Sequence, residues 1–193
     1  MSRKTDSATM ESKATFGFWI YLMTDCIIFA SLFATFMVLR GRTAGGPSGA
    51  DIFDLPYVFG ETIVLLMSSL ASGLALLAAH QKNRRQTLMW LGITALLGAV
   101  FLGMELHEFR TLVAEGHSWT RSAFLSSYFG LVGTHGLHIF VGLTWLAGTW
   151  LYVWKRSFTP RLLQRLTMFT MFWHFLDLVW IGIFTIVYLL GVI

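Results

Sequence analysis

A single cysteine, Cys26, stands among 193 residues, which excludes an internal disulfide and any cysteine-cluster metal site. Charge is also scarce. Asp, Glu, Lys and Arg make up 12% of the chain against 55% hydrophobic residues, and that balance excludes a water-soluble domain. The alternating apolar and polar pattern of an outer-membrane barrel strand is missing too. The Gly- and Pro-rich stretch from Arg40 to Pro56 lacks the Gly-Lys-Ser/Thr ending of a phosphate-binding loop and reads as an irregular connection. No small-residue cleavage pattern follows the first apolar run, which is too long for a signal-peptide core, so the first helix is expected to stay in the mature protein.

Long apolar runs fill the space these absences leave. A hydrocarbon core of about 30 Å takes roughly 20 apolar residues per helix, and five stretches are long enough: Phe16 to Leu39, Tyr57 to Ala79, Thr87 to Leu106, Phe124 to Trp154 and Leu166 to Leu190. The expected fold is all-α, an integral membrane bundle of five transmembrane helices. Residues 1–15 form a polar tail, and 16–193 form a single membrane domain, because the connecting loops are too short to fold alone.

Basic residues set the expected orientation. Arg3, Lys4, Lys13, Lys82, Arg84, Arg85, Lys155, Arg156, Arg161 and Arg165 fall on one side, and Arg40, Arg42, Arg110 and Arg121 on the other. The positive-inside rule then places the N-terminus in the cytoplasm and the C-terminus outside. The net charge of +4 describes topology, and no nucleic-acid partner is indicated.

Small residues mark expected helix contacts: Ser68, Ser72, Ala75 and Ala79 in the second span, and Gly130, Gly133 and Gly136 in the fourth. The fourth span exceeds what a bilayer requires and is expected to tilt or project.

Asp25, Glu61, Glu105, His135, His138, His174 and Asp177 fall within the spans. A central Asp costs about 2.5 to 3.5 kcal/mol on translocon-type scales, so each polar group is expected to face protein, be neutral or be paired. At a rise of about 1.5 Å per residue, Asp25, His174 and Asp177 enter by roughly 14, 12 and 17 Å, near the middle position of His138. They form an expected inner polar layer. Glu61 and Glu105, with His107 and Glu108 nearby, form a second layer on the outer side.

Residues three apart share a helical face, so His135 with His138, and His174 with Asp177, can each address one neighbour. Three readings follow. The groups can be structural contacts in a larger complex, a proton or substrate path, or metal or haem ligands, a bis-imidazole haem needing histidines from two helices such as His138 and His174. A five-helix transporter using Asp25 and Asp177 is a further class, but no internal repeat supports it.

Four motifs carry a resemblance to a known family. They are Gly17-Phe18-Trp19 through Thr24-Asp25, Gly103-Met104-Glu105 with Glu108, Gly133-Thr134-His135-Gly136-Leu137-His138, and Trp173-His174-Phe175-Leu176-Asp177-Leu178-Val179-Trp180. Together they resemble subunit III of the haem-copper oxidases, in its five-helix form, from about Phe16 to the end. Arg42-Thr43-Ala44-Gly45-Gly46-Pro47, Asp51-Ile52-Phe53 and Leu55-Pro56 are similar to the subunit III loop of bacterial cytochrome bo-type ubiquinol oxidases.

The resemblance implies a non-catalytic subunit of a proton-pumping quinol oxidase in the bacterial inner membrane, with a periplasmic C-terminus. It implies subunits I, II and IV as partners, ubiquinol as the substrate of the complex, and haem b, haem o and copper in subunit I. This chain would carry no catalytic residue, redox centre or metal. It would stabilise subunit I and hold phospholipid. The alternative within the family is subunit III of a cytochrome c oxidase. Asp25 aligns with a carboxylate that is glutamate and carbodiimide-reactive in many seven-helix relatives, and the shorter Asp makes a buried acid the better description.

Overall fold

In the computed structural model, residues 2–43, 54–155 and 158–192 are described. Helix α1 spans Ser2–Leu39, α2 Leu55–His80, α3 Arg84–Ala114, α4 Ala123–Lys155 and α5 Pro160–Ile183. A π-helical segment, Phe184–Leu189, and a last turn, Leu190–Val192, continue α5. No strand occurs among the described residues. Five helices are long and apolar enough to cross a membrane, in agreement with the apolar runs.

The helices outlast those runs. The first continues back to Ser2 where the sequence suggests a start at Phe16, the third ends at Ala114 rather than Leu106, and the fifth begins at Pro160 rather than Leu166. Hydropathy locates only the part of a helix that suits hydrocarbon, whereas the backbone ladder runs on until a cap stops it. Asn83 accepts from the Gln86 backbone N–H at 3.3 Å to open α3, and Thr159 accepts from that of Leu162 at 3.2 Å to open α5. Lys82, at φ 57°, turns the chain tightly between α2 and α3. The α4 helix, with 33 residues, is about 50 Å long at 1.5 Å per residue. Residues 44–53 of the expected irregular connection, and with them most of the loop that carries the quinol-oxidase resemblance, lie outside the described residues.

Helices α2, α3, α4 and α5 form a closed ring in which each packs on the next and α5 returns to α2. Helix α1 stands outside the ring against α4 and α5. Large side chains fill the ring's axis. The Trp173 indole lies between α3 and α4, where a Cβ on Gly98 or Gly142 would come within 2.8 or 2.7 Å of it. Its Nε1 donates to Ser68 Oγ at 3.1 Å, and Ser68 Oγ donates to the Thr94 carbonyl at 3.0 Å. One hydroxyl therefore links α5, α2 and α3.

Ser68, Ser72, Ala75 and Ala79 are buried, as the small-residue stripe predicts. The glycine stripe of α4 needs a correction. Gly133 meets Phe109 and Gly136 meets Glu105, but Gly130 faces open space. At about 100° per residue, 130 lies about 60° from 133 and about 120° from 136 around the helix, so the three do not share one contact line. The glycines that admit the largest side chain are instead Gly98 and Gly142.

Candidate functional site

The bundle has two ends, one bearing the chain's N-terminus and the other the α1–α2 and α3–α4 loops. The inner polar residues divide into two separate pairs across α5. On one side His138 Nε2 of α4 stands 3.7 Å from Asp25 Oδ2 of α1. The other ring nitrogen, Nδ1, is 2.7 Å from the Thr134 carbonyl and donates to it. A histidine whose Nδ1–H is held by its own helix presents Nε2 as the acceptor when neutral, or as a second donor when charged. Asp25 is buried although α1 lies outside the ring, because the α4–α5 surface covers it.

On the other side His174 Nδ1 pairs with Ser69 Oγ of α2 at 2.5 Å. Asp177, one turn further along α5, is buried and interacts with the same Ser69 and with His174. Helix α5 separates the two pairs: Phe175 packs on Phe29 of α1, while His174 turns to α2. The single inner layer expected from depth is therefore two sites. Equal depth places groups at one level without fixing which side of a helix they occupy.

His174 also departs from the buried class in which the sequence places it, since its side chain lies on the exposed surface of the chain beside Gly73. His138 and His174 face different neighbours, which does not fit a bis-imidazole haem. No three His, Cys, Asp or Glu side chains form a metal-holding group among the described residues.

His135 is fully buried. Its ring meets Phe101 edge-on at 5.9 Å and lies 5.2 Å from the Trp180 indole. Phe29 touches both His135 and His138, so the two imidazoles three residues apart do address one common neighbour. Trp180 Nε1 donates to Thr62 Oγ1 at 3.1 Å, tying α5 to α2 at this level.

The second polar layer lies toward the loop-bearing end. Glu61 of α2 and Glu105 of α3 are buried. Glu61 is within electrostatic reach of both Glu105 and Glu108. The Glu105 carboxyl lies against the bare backbone of Gly136, where a Cβ would meet Oε1 at 2.5 Å. Tyr188 donates to Glu108 Oε2 at 3.1 Å, and its oxygen is 3.0 Å from that of Tyr128. Both tyrosines are fully buried. The π-helical segment brings Tyr188 there, because its wider turn aligns residue 188 with Ile183, five positions earlier, and both point inward.

This layer leads to a surface cavity of about 280 Å³ lined by Asp54, Tyr57, His107, Glu108, Thr111 and Glu115. Tyr57 closes its inner wall by donating to the Met104 carbonyl at 3.2 Å. At the opposite end a cavity of about 400 Å³ is lined by Trp145, Tyr152 and Arg165, with the guanidinium 5.5 Å above the Tyr152 ring. Sequence reasoning missed Ser69, Tyr128 and Tyr188. Hydroxyls cost little in a hydropathy count, so nothing distinguishes them from packing residues until a carboxylate or imidazole is seen beside them.

The cytochrome c oxidase subunit III family model matches residues 4–192. A cytochrome bo(3) ubiquinol oxidase subunit 3 from Pseudomonas aeruginosa is 57% identical over 91% of this chain and 84% of its own length. One of the same description from Pseudomonas putida is 54% identical over 92% and 86%. A cytochrome c oxidase subunit 3 from Bacillus sp. strain PS3 is 44% identical over 97% and 91%.

Proposed function

This chain belongs to the cytochrome c oxidase subunit III family, and from that premise we propose that it is subunit III of a bacterial terminal quinol oxidase. The complex oxidises ubiquinol, reduces dioxygen to water and pumps protons. The identity of 57% over nearly the whole chain to a ubiquinol oxidase subunit carries this reading. The electron donor is the finer point, and the cytochrome c oxidase relative at 44% keeps cytochrome c as the second reading.

In this proposal the chain is non-catalytic. Its partners are subunits I, II and IV, with haem b, haem o and copper in subunit I. Residues 16–193 act as one unit in the inner membrane, with residues 1–15 as a cytoplasmic tail and the C-terminus in the periplasm, an orientation supported by the basic residues at the N-terminal end. Asp25, Glu61, Glu105, His135, His138, His174 and Asp177 hold the helices in register and shape the surfaces for subunit I and phospholipid. The cavity beside Arg165 and Tyr152, with its aromatic walls and one cation, suits an anionic headgroup.

Purification through a tag on this chain in mild detergent tests the proposal. Haem b and haem o signals in a reduced-minus-oxidised spectrum, a carbon monoxide shift, and oxygen uptake with ubiquinol are expected. Uptake with reduced cytochrome c but not ubiquinol supports the second reading, and a colourless protein from membranes that contain it in quantity overturns both.

A further inference from the structure

Eight buried side-chain oxygen or nitrogen atoms among the described residues have no hydrogen-bond partner, and five of them gather in one place. They are both carboxyl oxygens of Glu61, Oε2 of Glu105 and both ring nitrogens of His135. These residues come from α2, α3 and α4 and are 0%, 1% and 0% exposed. The Glu105 carboxyl lies against Gly136, the chain neighbour of His135. Trp180, packed on the His135 ring, donates to Thr62, the chain neighbour of Glu61.

A buried carboxylate is tolerated when a cation pairs with it or when it carries its proton. Neither glutamate has such a cation, since the one ion pair among the described residues joins His138 to Asp25. The groups facing Glu61 and Glu105 are Tyr57 of α2, Glu108 of α3, Tyr128 and His135 of α4, and Tyr188 of the π-helical segment. His135 is the one base in this set of acids and hydroxyls.

A route to solvent starts at the same layer. Glu108 is half-buried and lines the cavity at the loop-bearing end, together with Asp54, His107 and Glu115. It accepts from Tyr188 at 3.1 Å and is also bonded to Tyr128. The two hydroxyl oxygens are 3.0 Å apart. Glu61 is within electrostatic reach of Tyr188, and Glu105 of Tyr128. A hydroxyl both donates and accepts, so each tyrosine can pass on one proton while taking another.

We propose that Glu61, Glu105 and His135 form a proton-binding site inside the bundle, loaded and emptied from the loop-bearing surface through Tyr188 and Glu108. In emptying, the Tyr188 O–H proton moves to the Glu108 carboxylate while the Glu61 carboxyl proton moves to the Tyr188 oxygen. Glu61 is left as a carboxylate, and Glu108 releases the proton to water in the cavity. Loading is the reverse. His135 supplies a ring nitrogen able to accept the Glu105 proton. The inference goes beyond the subunit reading above and holds for either electron donor.

Infrared difference spectra of the complex purified through a tag on this chain test it. The spectrum of the unsubstituted protein minus that of Glu61→Gln, or of Glu105→Gln, is expected to contain the carbonyl stretch of a protonated carboxyl, shifted in heavy water. Gln is the isostere of the neutral acid, so both variants are expected to assemble. Glu108→Gln and Tyr188→Phe are expected to keep that band and to slow its deuterium shift by about a hundredfold, the low end of what a positioned proton donor supplies. Lack of the band in both difference spectra, or failure of both Gln variants to assemble, would show that the carboxylates are charged and overturns the site. A deuterium shift indifferent to Glu108→Gln and Tyr188→Phe overturns the route, and with it the proposal. Haem content of the same preparations reports separately on the subunit reading.

Discussion

The Asp25 carboxylate of α1 reaches His138 of α4 at 3.7 Å, and this polar contact joins the one helix outside the ring to the ring. Near the start of the membrane span Gln164 of α5 also donates to Thr15 Oγ1 at 3.2 Å, and around the Asp25 level the α1 contact is aromatic and aliphatic, through Phe29, Phe36 and Leu22. In hydrocarbon such packing gains little from burial alone, so a directional contact fixes the docking register of α1.

Asp25→Leu is expected to loosen α1, and a double-mutant cycle with His138→Leu to return a coupling of about 1 kcal/mol, typical of polar pairs in membrane bundles. Unfolding in mixed detergent, followed by a fluorophore on α1, measures it. A coupling indistinguishable from zero would show that the two groups ignore each other.

Gly142→Ala places a methyl 2.7 Å from the Trp173 ring, inside van der Waals contact. We expect a loss of about 1 to 3 kcal/mol from overpacking, partly relieved when Trp173 is shortened to Phe. Gly148→Ala on the same helix, where a Cβ meets nothing within 4 Å, is the neutral comparison. Thermal stability of the purified complex distinguishes the two.

Tyr188→Phe removes the donor to Glu108 and the contact to Tyr128 together. The cost is expected to be about 0.5 to 1.5 kcal/mol for the lost hydrogen bonding, since Tyr128 and Glu108 still hold each other. Tyr57→Phe loses one bond to a backbone carbonyl at the cavity wall and is expected to cost less. Denaturant midpoints rank the pair, and the reverse order would mean that the tyrosine–glutamate layer is not a stabilising network.

Asp177→Ala and His174→Ala each leave Ser69 with fewer partners. We expect less assembled oxidase per membrane but near-normal turnover per haem in what assembles. Normal assembly with turnover abolished would point instead to a direct proton role.

Much of the architecture was legible along the chain. Five apolar runs became five helices, and the Ser68 to Ala79 stripe became a contact, because hydropathy and small-residue spacing are local properties that survive folding. Depth was legible as well: Glu61, Glu105 and Glu108 do gather at one level. What depth could not say is which side of a helix a group faces relative to its neighbours, and so Asp25 with His138 and His174 with Ser69 emerged as two sites.

The sequence by itself determined the helices, their number and the levels of their polar groups, since a bilayer constrains each span separately through length and hydropathy. Tertiary structure alone decided the ring of α2 to α5 with α1 outside, the Trp173 seat between Gly98 and Gly142, and the π-helical turn that delivers Tyr188. Those features depend on side chains far apart in the chain meeting at atomic distances, as Trp180 meets Thr62. Close packing makes such meetings specific only after the helices have come together.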